Sequence, residues 1–164
     1  MANISRINGF KPVKQHGAAY CGHVGMYEVP AGEATKIFVG DPVILSSSAS
    51  SSGLQAVEAL AASAAGDVAA GILFGFCVGI LNSKFDPVDG GMTSGTVSNL
   101  DLPGAGSTVG STKQFILVAD DPQTIFEAQA DAAVALASIG LNIGMAVGTH
   151  STTTGASAWQ ADGS

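Results

Sequence analysis

Two groups of residues in this chain have types and spacing that could do covalent chemistry: Gly75-Phe76-Cys77-Val78-Gly79 and the pair Asp120-Asp121. The glycine spacing around Cys77 is that of a nucleophile elbow, in which the nucleophile stands on a sharp strand-to-helix turn with a histidine as its base. Here the flanks, residues 68–81, are almost uninterrupted apolar residues. A buried strand cysteine therefore accounts for the motif better than a nucleophile does. Asp120 and Asp121 could form a two-carboxylate site, but they precede Pro122 between two apolar runs, which is what turn chemistry asks for. His16, His23 and His150 lie among small residues, none next to Asp, Glu or Cys at ligand spacing, so no metal is expected. The stretch Gly104-Ala105-Gly106-Ser107-Thr108-Val109-Gly110 lacks the lysine of a P-loop and the spacing of a dinucleotide fingerprint, and reads as a loop. No catalytic residue and no cofactor are expected, and the chain reads as a scaffold.

The elements that would position these residues are short strands. Phe38-Val39-Gly40-Asp41-Pro42-Val43-Ile44-Leu45 and residues 65–76 each place a Gly-Asp turn directly before an apolar run, a rhythm that suits a Gly-rich β-body. Residues 25–29 and 36–45 read as strands separated by a Pro-Ala-Gly turn. Residues 113–129 read as a hairpin across Asp120-Asp121-Pro122. The glycines at 71, 75 and 79 point to a bent strand. Residues 46–53, almost all serine, read as an exposed loop tip, and 54–65 fit helix or strand equally. Residues 131–139 have the composition for two turns of helix stopped by Gly140. The expected fold is mainly β, a small barrel, β-tulip or sandwich with one or two short helices. It divides into an extended N-terminal arm, 1–24, a body, 25–148, with a long surface loop at about 82–112, and a tail, 149–164, carrying Trp159.

Charge narrows the partners. The net charge is −7, and only 12% of residues are charged, so the surface is largely neutral and phosphate binding, which needs clustered Lys and Arg, is disfavoured. Neither nucleic acid nor an acidic membrane is expected as a partner. Residues 1–19 nevertheless carry Arg6, Lys11 and Lys14 with no carboxylate, while all thirteen acids lie beyond them. A basic arm on an acidic body has the polarity that docking onto an acidic neighbour requires. Cys21 and Cys77 match no zinc spacing or disulfide framework and are expected as free thiols in a reducing compartment. No signal-peptide pattern follows Met1, and no apolar stretch is long enough to span a bilayer.

The ordered set Asn-Gly-Phe-Lys-Pro-Val-Lys, Tyr-Glu-Val-Pro-Ala-Gly, Phe-Val-Gly-Asp-Pro-Val, Phe-Ile-Leu-Val-Ala-Asp-Asp-Pro and Phe-Glu-Ala-Gln resembles tailed-phage capsid decoration, or cement, proteins over most of the chain. The Gly-Asp and apolar-strand rhythm is more loosely similar to lambda-type head decoration proteins. The resemblance implies a non-enzymatic virion protein on the outer capsid surface, made in the host bacterial cytoplasm. Its partners would be the major capsid protein and itself, as a homotrimer, and it would clamp neighbouring subunits of the expanded shell. Arg6, Phe10, Lys11 and Lys14 are then the candidate capsid-contact residues. The resemblance also implies further strand sequence past Thr152-Thr153-Thr154-Gly155, which leaves barrel closure open, with an edge from a neighbouring subunit as one solution.

Three other readings compete. A virion-displayed carbohydrate-binding module would stack sugars on surface aromatics, with Trp159 as its platform. A cysteine hydrolase would depend on an accessible Cys77 thiolate. A shell-forming capsid protein would need a longer chain and a long helix.

Overall fold

The computed structural model describes residues 7–30, 35–47, 53–60, 73–81, 85–86, 91–92, 101–102, 114–148 and 157–163. In chain order the strands are β1 (Lys11–Gln15), β2 (Ala18–Ala19), β3 (Gly25–Val29), β4 (Ile37–Phe38), β5 (Pro42–Leu45), β6 (Val57–Ala59) and β7 (Leu73–Leu81). They continue with β8 (Phe85–Asp86), β9 (Gly91–Met92), β10 (Asp101–Leu102), β11 (Gln114–Ala119), β12 (Thr124–Glu127), β13 (Met145–Val147) and β14 (Trp159–Ala161). The protein is mainly β, as its sequence predicts.

Five strands form the body, in the order β3-β11-β7-β5-β6, with every neighbouring pair antiparallel. The two outer strands meet in a parallel bridge between Glu28 and Ala56, where the Glu28 N–H donates to the Gln55 carbonyl at 3.1 Å. The sheet thus closes on itself as a small barrel, and the closing edge comes from the same chain. Closure bends β7 most. Its pairing slips between Gly75 and Leu73 against β5, and between Gly79 and Cys77 against β11, leaving Phe74 and Val78 as extra residues. Such bulges let a strand coil, and glycine beside them lets neighbouring backbones approach. The barrel interior holds Val29, Ile37, Val43, Val57, Cys77, Ile80, Ile116 and Val118, all at most 2% exposed. Burying each Val or Ile stabilises the fold by about 1.5–3 kcal/mol.

Successive strand residues face opposite ways, so Phe76 points out of the barrel while Cys77 points in. Phe76 is covered by Phe10, stacked on it at a centroid distance of 4.5 Å, and by Phe126, also at 4.5 Å. Leu60 and Trp159 complete this second core. The N-terminal segment, β12 and the β13–β14 hairpin therefore pack against one outer face of the barrel.

Four expectations change here. Residues 7–24 of the anticipated arm are not a segment awaiting a partner. β1 pairs with β12 and β2, and Phe10 fills the second core, because a chain with few large apolar residues gains most by burying that ring. The strands flanking Asp120-Asp121-Pro122 exist, but they are not a hairpin: β11 lies in the barrel and β12 pairs with β1 in a three-stranded sheet. The turn carries the chain from one sheet to the other. The helix expected at 131–139 is a single 3₁₀ turn, Leu136–Ser138, and it is the helical element among the described residues. Its N-cap residue, Ala135, is extended and makes no side-chain capping bond, and no apolar face of the segment is buried, so the support a short helix needs is missing. Gly140 does take the positive φ, 86°, expected of a stop residue. Finally, the 36–45 run is two strands, because Gly40 (φ 98°) turns the chain between β4 and β5.

The inter-sheet turn is held by its first residues. The Asp121 carboxylate accepts from the Gln123 N–H at 2.8 Å and from Gln15 Nε2 at 2.8 Å, and His16 Nε2 stands 2.8 Å from the same oxygen as Gln15. These contacts, the Gln123 N–H foremost, hold the Asp121 carboxyl below the usual carboxylate range. Next to it, the Tyr27 hydroxyl donates to Asp120, and burial together with that bond pushes Tyr27 up to about 12.

Two outcomes follow. A Cβ at Gly75 would sit 2.6 Å from the Ala119 carbonyl oxygen and 2.7 Å from a Val118 methyl. Gly75→Val is expected to destabilise the barrel by about 1–3 kcal/mol or more, read from the denaturant midpoint. A carboxyl with a depressed folded pKa stabilises the fold above its unfolded value, about pH 4, and the gain is lost as the pH falls through the lower folded value. Asp121→Asn should therefore be less stable than wild type at neutral pH, with the gap closing below about pH 4 in an acid titration.

Candidate functional site

The anticipated contact residues end in different environments. Arg6 lies outside the described residues. Phe10 is 9% exposed and belongs to the second core, so its ring chiefly anchors the segment to the body. Its N–H donates to the Gly40 carbonyl at 3.0 Å. Lys11 and Lys14 are exposed on β1.

Their spacing of three would put two lysines on opposite faces of a regular strand. The register against β12 prevents this. Lys11 pairs with Glu127 and Pro12 with Phe126, then the register slips and Lys14 pairs with Ile125. Val13 is the extra residue of the bulge, and Lys11 and Lys14 emerge on the same side, opposite Glu127 and Ile125. Ile125 is 53% exposed and Val13 38%. The result is a mixed face of two cations, one carboxylate and two aliphatic side chains, on a strand whose other side is sealed by Pro12, Gln15 and Phe126. Such a face can bind another protein surface through apolar contact and steer it by charge. Val13 and Ile125 were not singled out in the sequence, and only the bulge and the pairing reveal them.

An open cleft of about 360 Å3 runs beside this face, walled by Phe10, Lys11, Pro12, Tyr20, Val39 and Val78 among others. It is largely apolar and has Lys11 at its rim.

The residues considered for covalent chemistry are placed as follows. The Cys77 side chain is fully buried in the barrel interior, where burial pushes its thiol up to about 12, and its Sγ donates weakly to the Gly79 carbonyl at 3.6 Å. Gly75-Phe76-Cys77-Val78-Gly79 runs along the middle of β7 and forms no strand-to-helix turn. Among the described residues no cluster of three or more His, Cys, Asp or Glu could hold a metal ion. Trp159, the expected sugar platform, is 4% exposed and packs in the second core. His150 and residues 104–110 lie outside the described residues, as does most of the 82–112 stretch.

Sequence reasoning missed one further surface. Residues 131–144 stand out from the body with Val134, Leu136, Ile139, Leu141 and Ile143 between 49% and 84% exposed. After Asp131 this loop has no charged residue. The sequence signal was available in that charge-free aliphatic run, but its spacing reads as a helix.

Comparison with protein-family models, characterised proteins and solved structures finds no match to this chain.

The burial of Cys77 and the exposure of Cys21 set a clear expectation for a thiol-reactive probe. At mildly alkaline pH the native protein should incorporate one label, at Cys21, and the second only on unfolding. Rapid labelling of Cys77 in the folded state would contradict the buried placement.

Proposed function

We propose that this chain is a structural virion protein that binds the outer surface of an icosahedral phage capsid as a homotrimer and stabilises the expanded shell by clamping neighbouring capsid subunits. The observation that carries the reading is the mixed face on β1 and β12, where Lys11 and Lys14 stand beside Val13 and Ile125 on an otherwise acidic chain. A capsid lattice is a repeated protein surface. A protein with several copies of one modest contact gains on such a lattice from multivalency, since the second and third contacts form at high effective concentration. Binding only the expanded arrangement of subunits stabilises that arrangement by mass action.

The ordered sequence resemblance to capsid decoration proteins supports the same reading. So does the anchoring of the face: Phe10 is locked under Phe76, and β1 is paired on both sides, so little ordering is left to be done on binding.

The test is co-sedimentation of the full chain with expanded shells stripped of it. Saturable binding at a fixed copy number is expected. Lys11→Glu with Lys14→Glu should weaken it by about tenfold or more, and added salt should weaken the wild type, since an exposed charged face is screened. No binding to the shells, or binding that ignores both the double substitution and salt, would overturn the proposal.

A further inference from the structure

The 131–144 loop is an ordered projection. Both ends are clamped to the same strand end: the Asp131 N–H donates to the Ala161 carbonyl at 3.0 Å, and the Asp162 N–H donates to the Gly144 carbonyl at 3.0 Å. The Gly163 N–H adds a bond to the Asp131 carboxylate at 2.8 Å. A Cβ at Gly163 would lie 2.7 Å from the Ala132 carbonyl oxygen, so the base is closely packed. Within the loop, the N–H groups of Ser138, Ile139 and Leu141 donate to the carbonyls of Ala135, Leu136 and Ser138, holding the tip in a turn. Every residue from 131 to 144 is exposed. The five aliphatic side chains are all exposed on one uncharged segment, and clustered exposed apolar residues are a feature of protein contact sites.

The same chain carries a concave apolar surface. None of the loop's residues lines the cleft formed by Phe10, Pro12, Tyr20, Val39 and Val78. Projection and cleft match in character, and their edges match in charge: Lys11 rims the cleft and Asp131 stands at the base of the projection.

We propose that the 131–144 loop of one copy seats in this cleft of the next copy, head to tail, with Leu136 and Ile139 at the tip entering it and Asp131 approaching Lys11. A heterologous contact of this kind either closes into a ring or runs on as a filament. One such contact is small beside the roughly 800 Å2 per partner of a standard interface, and ring closure doubles what each copy buries. The inference deepens the self-association in the proposed function and rests on that part of it, not on shell binding.

The experiment is sedimentation velocity of the purified full chain, without shells, across a wide concentration range. Wild type is expected to associate reversibly into a closed oligomer. Leu136→Asp with Ile139→Asp would bury charge without a partner and should lower the association constant about a hundredfold or more, with the melting temperature unchanged at concentrations where the wild type is monomeric, because both side chains are exposed there. Val39→Asp, at a half-exposed position in the cleft, should do the same. Mixing the loop variant with the cleft variant should restore one productive contact and give a one-to-one dimer. In a Cys21→Ser background, Leu136→Cys on one copy should form a disulfide with Val39→Cys on another, which reads the contact even if Val39→Asp fails to fold. A wild type that stays monomeric, or a loop variant that associates normally, overturns the proposal. So does the loss of association in both variants with no dimer on mixing and no disulfide, and so does a Val39→Asp variant that folds and associates normally while the loop variant does not, which would mean that loops meet loops. Shell binding is read separately through Lys14→Glu, a residue outside the cleft lining, so failure of one reading leaves the other identifiable.

Discussion

The turn at Gly40-Asp41 joins the two cores of this protein. Gly40 donates its N–H to the Cys77 carbonyl at 2.7 Å, and the Asp41 carbonyl accepts from the Cys77 N–H at 2.8 Å, so the turn grips β7 through both backbone groups of one residue. The Gly40 carbonyl accepts from the Phe10 N–H, which ties the N-terminal segment to the same point. Asp41 is buried and closes the turn on itself: its carboxylate accepts from the Phe38 N–H at 2.9 Å, and its own N–H donates to the Phe38 carbonyl at 3.1 Å. At this crossing, a Cβ on Gly9 would lie 2.6 Å from the Gly40 carbonyl oxygen. Gly9 and Gly40 both have positive φ, and their lack of side chains lets two backbones touch where any other residue would force them apart.

From this crossing the layers follow. The grip on Cys77 sets which way β7 faces, with the thiol inside the barrel and Phe76 outside. Phe76 outside creates an apolar site that Phe10, Phe126, Leu60 and Trp159 then cover. Covering it draws in the N-terminal segment, β12 and the β13–β14 hairpin, and their positions fix both exposed features. The mixed lysine face is the outer side of a sheet whose inner side seals the second core. The apolar projection leaves the body where Ala130 and Ala161 are bridged at the end of β14. A chain with so much alanine and glycine has little large apolar surface to bury, so Phe10, Phe38, Phe76, Phe115 and Trp159 all go inside, and the exposed aliphatic residues in 131–144 stand out the more.

The contact surfaces differ in how their geometry is held. The lysine face rests on regular pairing plus one bulge. The projection rests on backbone bonds at its base and in its tip, with no core of its own. Both are therefore ordered before any partner arrives, which lowers the entropy that association must overcome.

The mainly β character was legible in the sequence because short apolar runs bounded by turn residues are local signals, and strands β3, β5, β7, β11 and β12 fall in the runs read as strands at 25–29, 36–45, 68–80 and 113–129; the Gly66-Asp67 turn lies outside the described residues. The buried placement of Cys77 was legible for the same reason, since its flanks are apolar on both sides. The basic character of the N-terminal stretch was a matter of composition alone. What the sequence left undecided was everything set by long-range pairing. Whether residues 7–24 stand free or pack on the body depended on a vacant site over Phe76, which exists only once the barrel has formed. Lys11 and Lys14 share a face because of a bulge that no residue pattern in β1 announces. Trp159 sits inside because the β13–β14 hairpin closes over the second core. The 131–144 segment has helical composition but no surface to lean on, so tertiary packing, which is what stabilises a short helix, was absent and the segment became a clamped loop.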